Sequence, residues 1–504
     1  MPKLKTEIPE GLLAPDAYPH TTTGIELVET HISWVLLTGE YAYKIKKPVK
    51  LPFLDFSTLE QRGHFCREEL RLNARLAPEL YLDVVPIGGT RAEPRIGAEP
   101  AFDYAVKMRQ FAVAASADRL IEEDELDADE LRELAARIAA FHMALEPVDH
   151  TPQHGTILKN LAQTRALTAR FDWLRLQEPL EQVQAEVTRL KPEFIVRSAA
   201  GMVRDCHGDL HLGNIARIGE QLVPFDCLEF DRKLRTIDVI DEVAFLFMDL
   251  ASHDRRDLAF AFLNRWLEST GDYAGLTLLR LYAAHRALVR VKVAAISVRE
   301  SDQPQARTAA ERYRSAAESA LSKPPGRLLL MMGLSGSGKT TIARELACLL
   351  GAVHVRSDVE RKRLCGLDPL ADARAAPGQG IYSEEISIAT YNKLLQAAQA
   401  AIAGGLTVIV DATFLRRSHR QAVIELAQDS GTTLRILHCT AAEDTLRERI
   451  RRRALARGDA SDADEAVLDQ QIRTAEELSA AEESAALTIS TESVLDYARI
   501  VEQI

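Results

Sequence analysis

Two stretches of this chain carry residue types at spacings that suit phosphate chemistry. The first is Gly333-Leu-Ser-Gly-Ser-Gly338-Lys339-Thr340, which fits GxxxxGK[ST] at every fixed position. Glycines let a backbone wrap closely around phosphates, and the amide hydrogens of such a loop converge at a helix N-terminus. Lys339 would then reach the β- and γ-phosphates, and the Thr340 hydroxyl would take a Mg²⁺ site. The candidate ATP-binding residues here are Gly333, Ser335, Gly336, Ser337, Gly338, Lys339, Thr340 and Thr341.

The second stretch is residues 206–226, CHGDLHLGNIARIGEQLVPFD. Phosphoryl transfer needs a carboxylate beside the acceptor hydroxyl and oxygen ligands for Mg²⁺. Asp209 fits the first role. Asn214, five residues on, and Asp226, after an expected strand pair, fit the second. An isolated HGD says little, because an Asp in a turn is common. HGDxxxxN followed by a β-ribbon and an apolar-Asp pair is far more specific.

Both stretches need elements that position them. LLLMM before the glycine loop reads as a strand, and TIARELACLL after it as a helix. Strand and helix then alternate. Strands are expected at 352–356, 407–410, 433–439 and 487–490, giving an α/β fold with a parallel sheet. Functional residues in such sheets gather at the carboxyl ends of strands, where Asp358 and Asp411 fall. Upstream, 24–49 reads as β-structure with Lys44 and Lys46 on one face. A helix over 58–76 carries Glu68 and Glu69, strands are expected at 81–87 and 101–111, and helices dominate from 127 onward. Asp238 and Asp241, before an apolar helix, are candidates to orient the 206–214 loop; they could equally just complement the helix dipole.

At 504 residues the chain is too long for one core. The expected division is 1–321 as an α+β bilobal domain (lobes about 1–111 and 112–321), a linker at 322–326, SKPPG, and 327–504 as the P-loop domain. A net charge of −12 disfavours non-specific binding to nucleic acid or acidic membrane. Six scattered cysteines without a CxxC suit a reducing compartment, and no apolar run approaches a membrane span. A cytoplasmic location is the expectation.

HGDLHLGN, VPFD and the upstream Lys/Glu residues make the first part, over roughly residues 25–300, similar to the aminoglycoside phosphotransferase family, whose members have a protein-kinase-like fold. The resemblance implies Asp209 as catalytic base and Asn214 and Asp226 as metal ligands. It implies Lys44 on the α/β-phosphates, paired with Glu69; Lys46 and Glu68 are the alternatives. The chain departs from protein kinases in reading Asp226-Cys227-Leu228 where a glycine would follow, and in lacking an APE segment and a GxGxxG loop. Members of this fold act on aminoglycosides, choline, homoserine, methylthioribose and other small hydroxylated molecules, so the fold does not name the substrate.

In the second part, Asp411 is followed by alanine, whereas a typical motor ATPase has Asp-Glu there. That favours group transfer. GLSGSGKTT, SDxxRK and VIVDATF resemble small P-loop kinases of the gluconate kinase, polynucleotide kinase and zeta-toxin type, over nearly all of 327–504. The resemblance implies Asp358 as activator of the acceptor hydroxyl, Arg361 in substrate binding and Asp411 near Mg²⁺. In 446–457, LRERIRRRALAR, six arginines (Arg447, Arg449, Arg451, Arg452, Arg453 and Arg457) occupy the place of a mobile lid in such kinases, with Arg449 and Arg453 as candidates to meet the transferring phosphate. A solvated face or a polyanion contact are the other readings of that run. Arg416, Arg417 and Arg420 are candidates to hold an acidic or phosphorylated substrate, and Tyr382 to line its pocket.

The whole chain resembles the bifunctional aminoglycoside phosphotransferase/ATP-binding proteins. The expectation is two ATP- and Mg²⁺-dependent kinase modules acting on hydroxyl groups of small molecules. The alternatives are one active kinase beside a nucleotide-binding regulator, a nucleotide-sensing or toxin–antitoxin-like switch, and a polynucleotide end kinase.

Overall fold

The computed structural model of the chain describes all residues except 1–6, 52–53, 149–152, 302–303, 323–325, 369–370, 372–379 and 457–462. Most of the expected 322–326 linker and Arg457 therefore lie outside the described residues. Packing divides the chain into two compact units, one of residues 1–126, 141–151 and 198–246, the other of 127–140, 152–197 and 247–504.

The first unit opens on a six-stranded sheet. Its strands are β1 (Glu26–Glu29), β2 (Ser33–Leu37), β3 (Tyr41–Lys46), β4 (Tyr81–Gly89), β5 (Pro94–Ile96) and β6 (Asp103–Arg109), in the order β1-β2-β3-β6-β4-β5. Neighbouring strands run antiparallel. Helix α1 (Leu59–Asn73) lies between β3 and β4 in sequence and packs on β4 and β6. It starts at Thr58, whose side chain forms a capping box with Gln61. The alternation in YAYKIK divides β3 by face: Tyr43 and Ile45 enter one core cluster, while Ala42 enters the cluster that also holds Cys66 of α1. Beyond the sheet come β7 (Val203–Asp205), the hairpin β8 (Ile215–Ile218) and β9 (Gln221–Pro224), and β10 (Thr236–Asp238), which pairs with β7 and leads into α2 (Val239–Ser252). The unit is thus α+β, an antiparallel sheet followed by short β-ribbons and helices.

The second unit contains α3 (Arg256–Thr270), α4 (Leu276–Ser301) and α5 (Pro304–Leu321), followed by a five-stranded sheet. The strands are β11 (Arg327–Met332), β12 (Ala352–Arg356), β13 (Thr407–Asp411), β14 (Thr433–Thr440) and β15 (Ala486–Ser490), in the order β12-β13-β11-β14-β15, all parallel. The P-loop strand β11 is central, so its apolar run is buried on both faces. Connecting helices include α6 (Lys339–Leu350), α7 (Ser357–Leu364), α8 (Glu384–Ala403), α9 (Arg417–Asp429), α10 (Glu443–Ala456) and α11 (Glu465–Thr474). The free edge at β12 is covered: Asn264 of α3 donates to Ala352 O and accepts from His354 N–H, both at 2.9 Å. Among the described residues no helix is long and apolar enough to cross a membrane.

Candidate active sites

In the first unit the sheet and α1 assemble a charge cluster. Arg62, Cys66, Glu69 and Asn73 recur at helical spacing on the buried face of α1. Glu69 thereby meets the lysine face of β3. Lys44 Nζ lies 2.7 Å from Glu69 Oε1 and also pairs with Asp226. Lys46, the alternative to Lys44, is not solvated: its Nζ lies 2.7 Å from Glu69 Oε2, pairs with Glu229, and sits 5.0 Å from the Phe56 ring centroid. Burial alone would raise the Glu69 pKa, but the two lysines hold it down at about 2. Glu68 points elsewhere, to an exposed pair with Arg71.

The 206–226 stretch closes the cluster from the other side. A single 3-10 turn, Leu212–Asn214, is capped by His211, whose Nδ1 accepts from Gly213 N–H at 3.1 Å. That turn brings Asn214 back onto Asp209: Nδ2 donates to the Asp209 carbonyl and to Oδ2, each at 3.0 Å. With Nδ2 so occupied, Asn214 Oδ1 is the atom left for a ligand. The hairpin β8–β9 then delivers Asp226 in the left-handed region at φ 62°. Tyr81 Oη accepts from Asp226 N–H at 3.0 Å and Asn73 Oδ1 accepts from Cys227 N–H at 2.9 Å, so β4 and α1 fix the segment that lacks the kinase glycine. Asn214 Oδ1 and the Asp226 carboxylate are oxygen donors of the kind that suits a hard cation such as Mg²⁺.

Two contributors were not visible in the sequence. Glu242 of α2 is fully buried; its Oε1 accepts from Gly208 N–H at 2.6 Å and its Oε2 meets His142 Nε2 at 2.8 Å. It grips the backbone immediately before Asp209 and belongs to the same acidic run as Asp238 and Asp241. Burial would raise its pKa, but His142 and the Gly208 amide, among others, keep it below the usual carboxylate value. The second contributor is Glu229, the partner of Lys46.

In the second unit the glycine loop has the geometry its spacing implies. Gly333 has φ 143° and a Cβ there would come within 2.3 Å of Cys439 O; Gly336 has φ 82° and a Cβ would come within 2.8 Å of Leu446 O. Ser335, Ser337 and Lys339 are buried, Gly338 caps α6, and Thr340 and Thr341 form its first turn. Lys339 Nζ donates to Leu334 O at 2.8 Å, and burial pulls its pKa below that of an ordinary lysine. Asp411 lies beside Met331 and Arg356 in the sheet register. Burial would raise its pKa, but the contact from His354 Nε2 at 3.2 Å and the charges of His354, Lys339 and Arg356 hold it down, so it is a carboxylate at neutral pH. Its carboxylate and the Thr340 hydroxyl are oxygen donors of the kind that suits a hard cation.

Asp358 is in the first turn of α7, half-buried. Arg361, one turn on, is buried against the Tyr382 ring at 5.2 Å and gives Nη1 to Ile381 O and Ser387 Oγ, both at 3.1 Å. Its Nε is buried without a partner. Nearby, Tyr391 stacks on His419 at 3.7 Å between ring centroids, lining a cavity of about 100 Å³ between α8 and α9. Arg416 is exposed, as is Arg417. Arg420 is a correction: it is fully buried, its Nε is 2.6 Å from Glu482 Oε1, and its remaining donors go to the carbonyls of Phe414, Leu415, Glu476 and Glu477. It is a packing strut with no donor left for a substrate.

The arginine run divides by face. Arg447 and Arg451 pair with Glu465 of α11, and Arg447 also with Glu443 and Asp469. Arg449 donates to Gly336 O at 3.2 Å and to Thr491 Oγ1 at 2.8 Å, which places it on the P-loop. Arg453 donates to Ala463 O, and its charge helps depress the Lys339 pKa.

Residues 328–478 match the AAA domain family model. Protein Rv2004c of Mycobacterium tuberculosis (strain H37Rv) is 33% identical over 461 residues, spanning 88% of this chain and 90% of its own length. Among solved structures, a gluconokinase from Sinorhizobium meliloti 1021 aligns at 20% identity, covering 36% of this chain and 90% of its own, with a TM-score of 0.25. A choline/ethanolamine kinase family protein from Mesorhizobium loti aligns at 11% identity over 61% of this chain and 90% of its own, with a TM-score of 0.36.

Proposed function

The chain belongs to the family that includes Rv2004c of Mycobacterium tuberculosis, and on the geometry of its two sites we propose that it is an ATP-dependent phosphotransferase with two kinase modules. Each moves the γ-phosphoryl group of ATP to a hydroxyl group of a small molecule. One repeated observation carries this reading: each unit independently gathers a buried or half-buried lysine and the carboxylates that phosphoryl transfer needs, Lys44 with Asp226 in one and Lys339 with Asp411 in the other.

In the first module Lys44 holds the α- and β-phosphates, and Glu69 and Asp226 hold Lys44. Asp209 accepts the acceptor's hydroxyl proton as its oxygen bonds to the γ-phosphorus and the bond to the β-phosphate oxygen breaks, releasing ADP. Asn214 aligns that carboxylate through its bond to Oδ2. In the second module the P-loop amides and Lys339 hold the phosphates, and Asp358 takes the acceptor proton. Arg449, tied to the loop through Gly336 O, and Arg453 add positive charge to the site from α10. Asn214 and Asp226 in one module, and Thr340 and Asp411 in the other, would hold Mg²⁺, which would offset phosphate charge.

For the second module the buried Arg361 favours an acceptor that carries an anionic group. A guanidinium nine-tenths buried with an unpartnered Nε is costly unless a ligand completes it.

The test is phosphate transfer from labelled ATP to pooled sugars, nucleosides, amino alcohols and oligonucleotides, with wild type beside Asp209→Ala and Lys339→Ala. Loss of a different product in each variant supports two kinases. Loss of every product in one variant only leaves a single kinase and a regulator. ATP binding without any labelled product overturns the transferase reading in favour of a switch.

A further inference from the structure

The peptide unit between Leu334 and Ser335 is held from three directions. Its carbonyl oxygen accepts from Lys339 Nζ at 2.8 Å. Its N–H, on the opposite edge of the same trans peptide, donates to Gln471 Oε1 of α11 at 2.8 Å. The Leu334 side chain packs into the apolar seam formed by Leu446 and Ile450 of α10 and Leu468 of α11. Gln471 is 136 residues from Ser335 in sequence, and no motif includes it.

Helix α11 is itself fixed. Asp464 caps its first turn through Val467 N–H, and Glu465 and Asp469 pair with Arg447 and Arg451 of α10. The carboxamide is therefore presented to the loop by a helix that is tied to the arginine-bearing helix.

We propose that Gln471 is a positioning residue of the P-loop site: by holding the Leu334–Ser335 peptide it sets where Leu334 O parks the Lys339 ammonium, and so sets the affinity of the loop for nucleotide phosphates. This rests on the reading of the P-loop as a nucleotide site. Two consequences separate a positioning role from simple packing. Removing the acceptor while keeping the bulk, as in Gln471→Leu, frees the peptide and weakens ATP and ADP alike. Gln471→Glu keeps an acceptor on Ser335 N–H, so the peptide stays in place, but adds a negative charge to the loop, one peptide unit away from the lysine proposed to serve the terminal phosphates. ATP, with one more phosphate than ADP, is then penalised more.

The experiment measures ATP and ADP binding to the full chain, taking as the P-loop signal the part that Lys339→Ala removes. Gln471→Leu is expected to weaken both nucleotides by about fivefold to tenfold, the scale of one hydrogen bond. Gln471→Glu is expected to lower the ATP/ADP affinity ratio by about tenfold while ADP stays within about threefold of wild type. Gln471→Ala serves beside Gln471→Leu, and the thermal melt of each variant reports that it is folded. Wild-type affinities in Gln471→Leu and Gln471→Ala, or equal losses of ATP and ADP in Gln471→Glu, overturn the inference alone. Identical binding by wild type and Lys339→Ala overturns the nucleotide reading of the loop, and this inference with it.

Discussion

Lys46 Nζ stands 2.7 Å from Glu69 Oε2, with neither side chain exposed to solvent. Glu69 also holds Lys44, so one carboxylate carries two ammonium groups and Glu229 supplies further negative charge. Breaking such a buried pair from one side leaves the partner uncompensated. Lys46→Met is therefore expected to lower the unfolding free energy by about 3–5 kcal/mol. Lys44→Met removes the proposed phosphate contact with a smaller stability loss, because its end of the cluster is partly open. Adding Glu229→Gln to Lys46→Met recovers part of the loss. Denaturant unfolding of the three variants, with ATP titration of each, is the check; wild-type stability in Lys46→Met would remove Lys46 from the network.

Asp226 makes a sharper separation of fold from activity. Its φ of 62° is tolerated by Asn but strained for a β-branched residue. Asp226→Asn keeps the turn and the Tyr81 contact to its backbone, so its melting temperature stays near wild type while transfer by the first module falls by about a hundredfold or more. Asp226→Val loses both. Thermal melts beside product formation separate the two, and full activity in Asp226→Asn would show that no charged ligand is needed there.

Legibility in the sequence followed the distance between partners. The P-loop and HGDxxxxN were readable because the groups that meet lie within eight residues of each other on a strand–loop–helix or a single turn. The parallel sheet was readable because each of its strands is an apolar run followed by a helix. Lys46–Glu229 and His142–Glu242 were not, since each joins segments 100 or more residues apart and a Lys or Glu in isolation reads as solvated. Arg420 failed differently. It lies three or four residues from the exposed Arg416 and Arg417 in sequence, yet it shares the buried face of α9 with Val423 and Ala427, three and seven residues on. The helical spacing held that information; charge outweighed it.

Arg361 gives a prediction about substrate rather than stability. Its Nη1 bonds go to a carbonyl and a hydroxyl, and its Nε has no partner, so a ligand anion is the group that would complete it. Arg361→Met is expected to raise the acceptor KM of the second module about tenfold or more, leaving the ATP KM within about twofold. Arg361→Lys restores charge without the planar fork and rescues only in part. An ATP KM that rises in step with the acceptor KM would move Arg361 out of the acceptor site.

The Arg420–Glu482 pair sets an acid limit on the second unit. The Glu482 carboxylate is held at about 2 against an ordinary 4.5: burial would raise it, but Arg420 and the Ser479 backbone and hydroxyl bring it down. A carboxyl group whose folded pKa lies below its unfolded one binds fewer protons when folded, so stability rises with pH across the interval between the two values. Its contribution is complete above about pH 4.5 and is lost as pH falls toward 2. Glu482→Gln removes the titration while leaving Arg420 with its carbonyl partners. The expected result is a constant melting-temperature gap between wild type and Glu482→Gln from pH 7 to about 5, narrowing progressively below 4.5. A gap that is independent of pH down to 3 would mean that the carboxylate is not what Arg420 depends on, and that the strut is held by its backbone carbonyls alone.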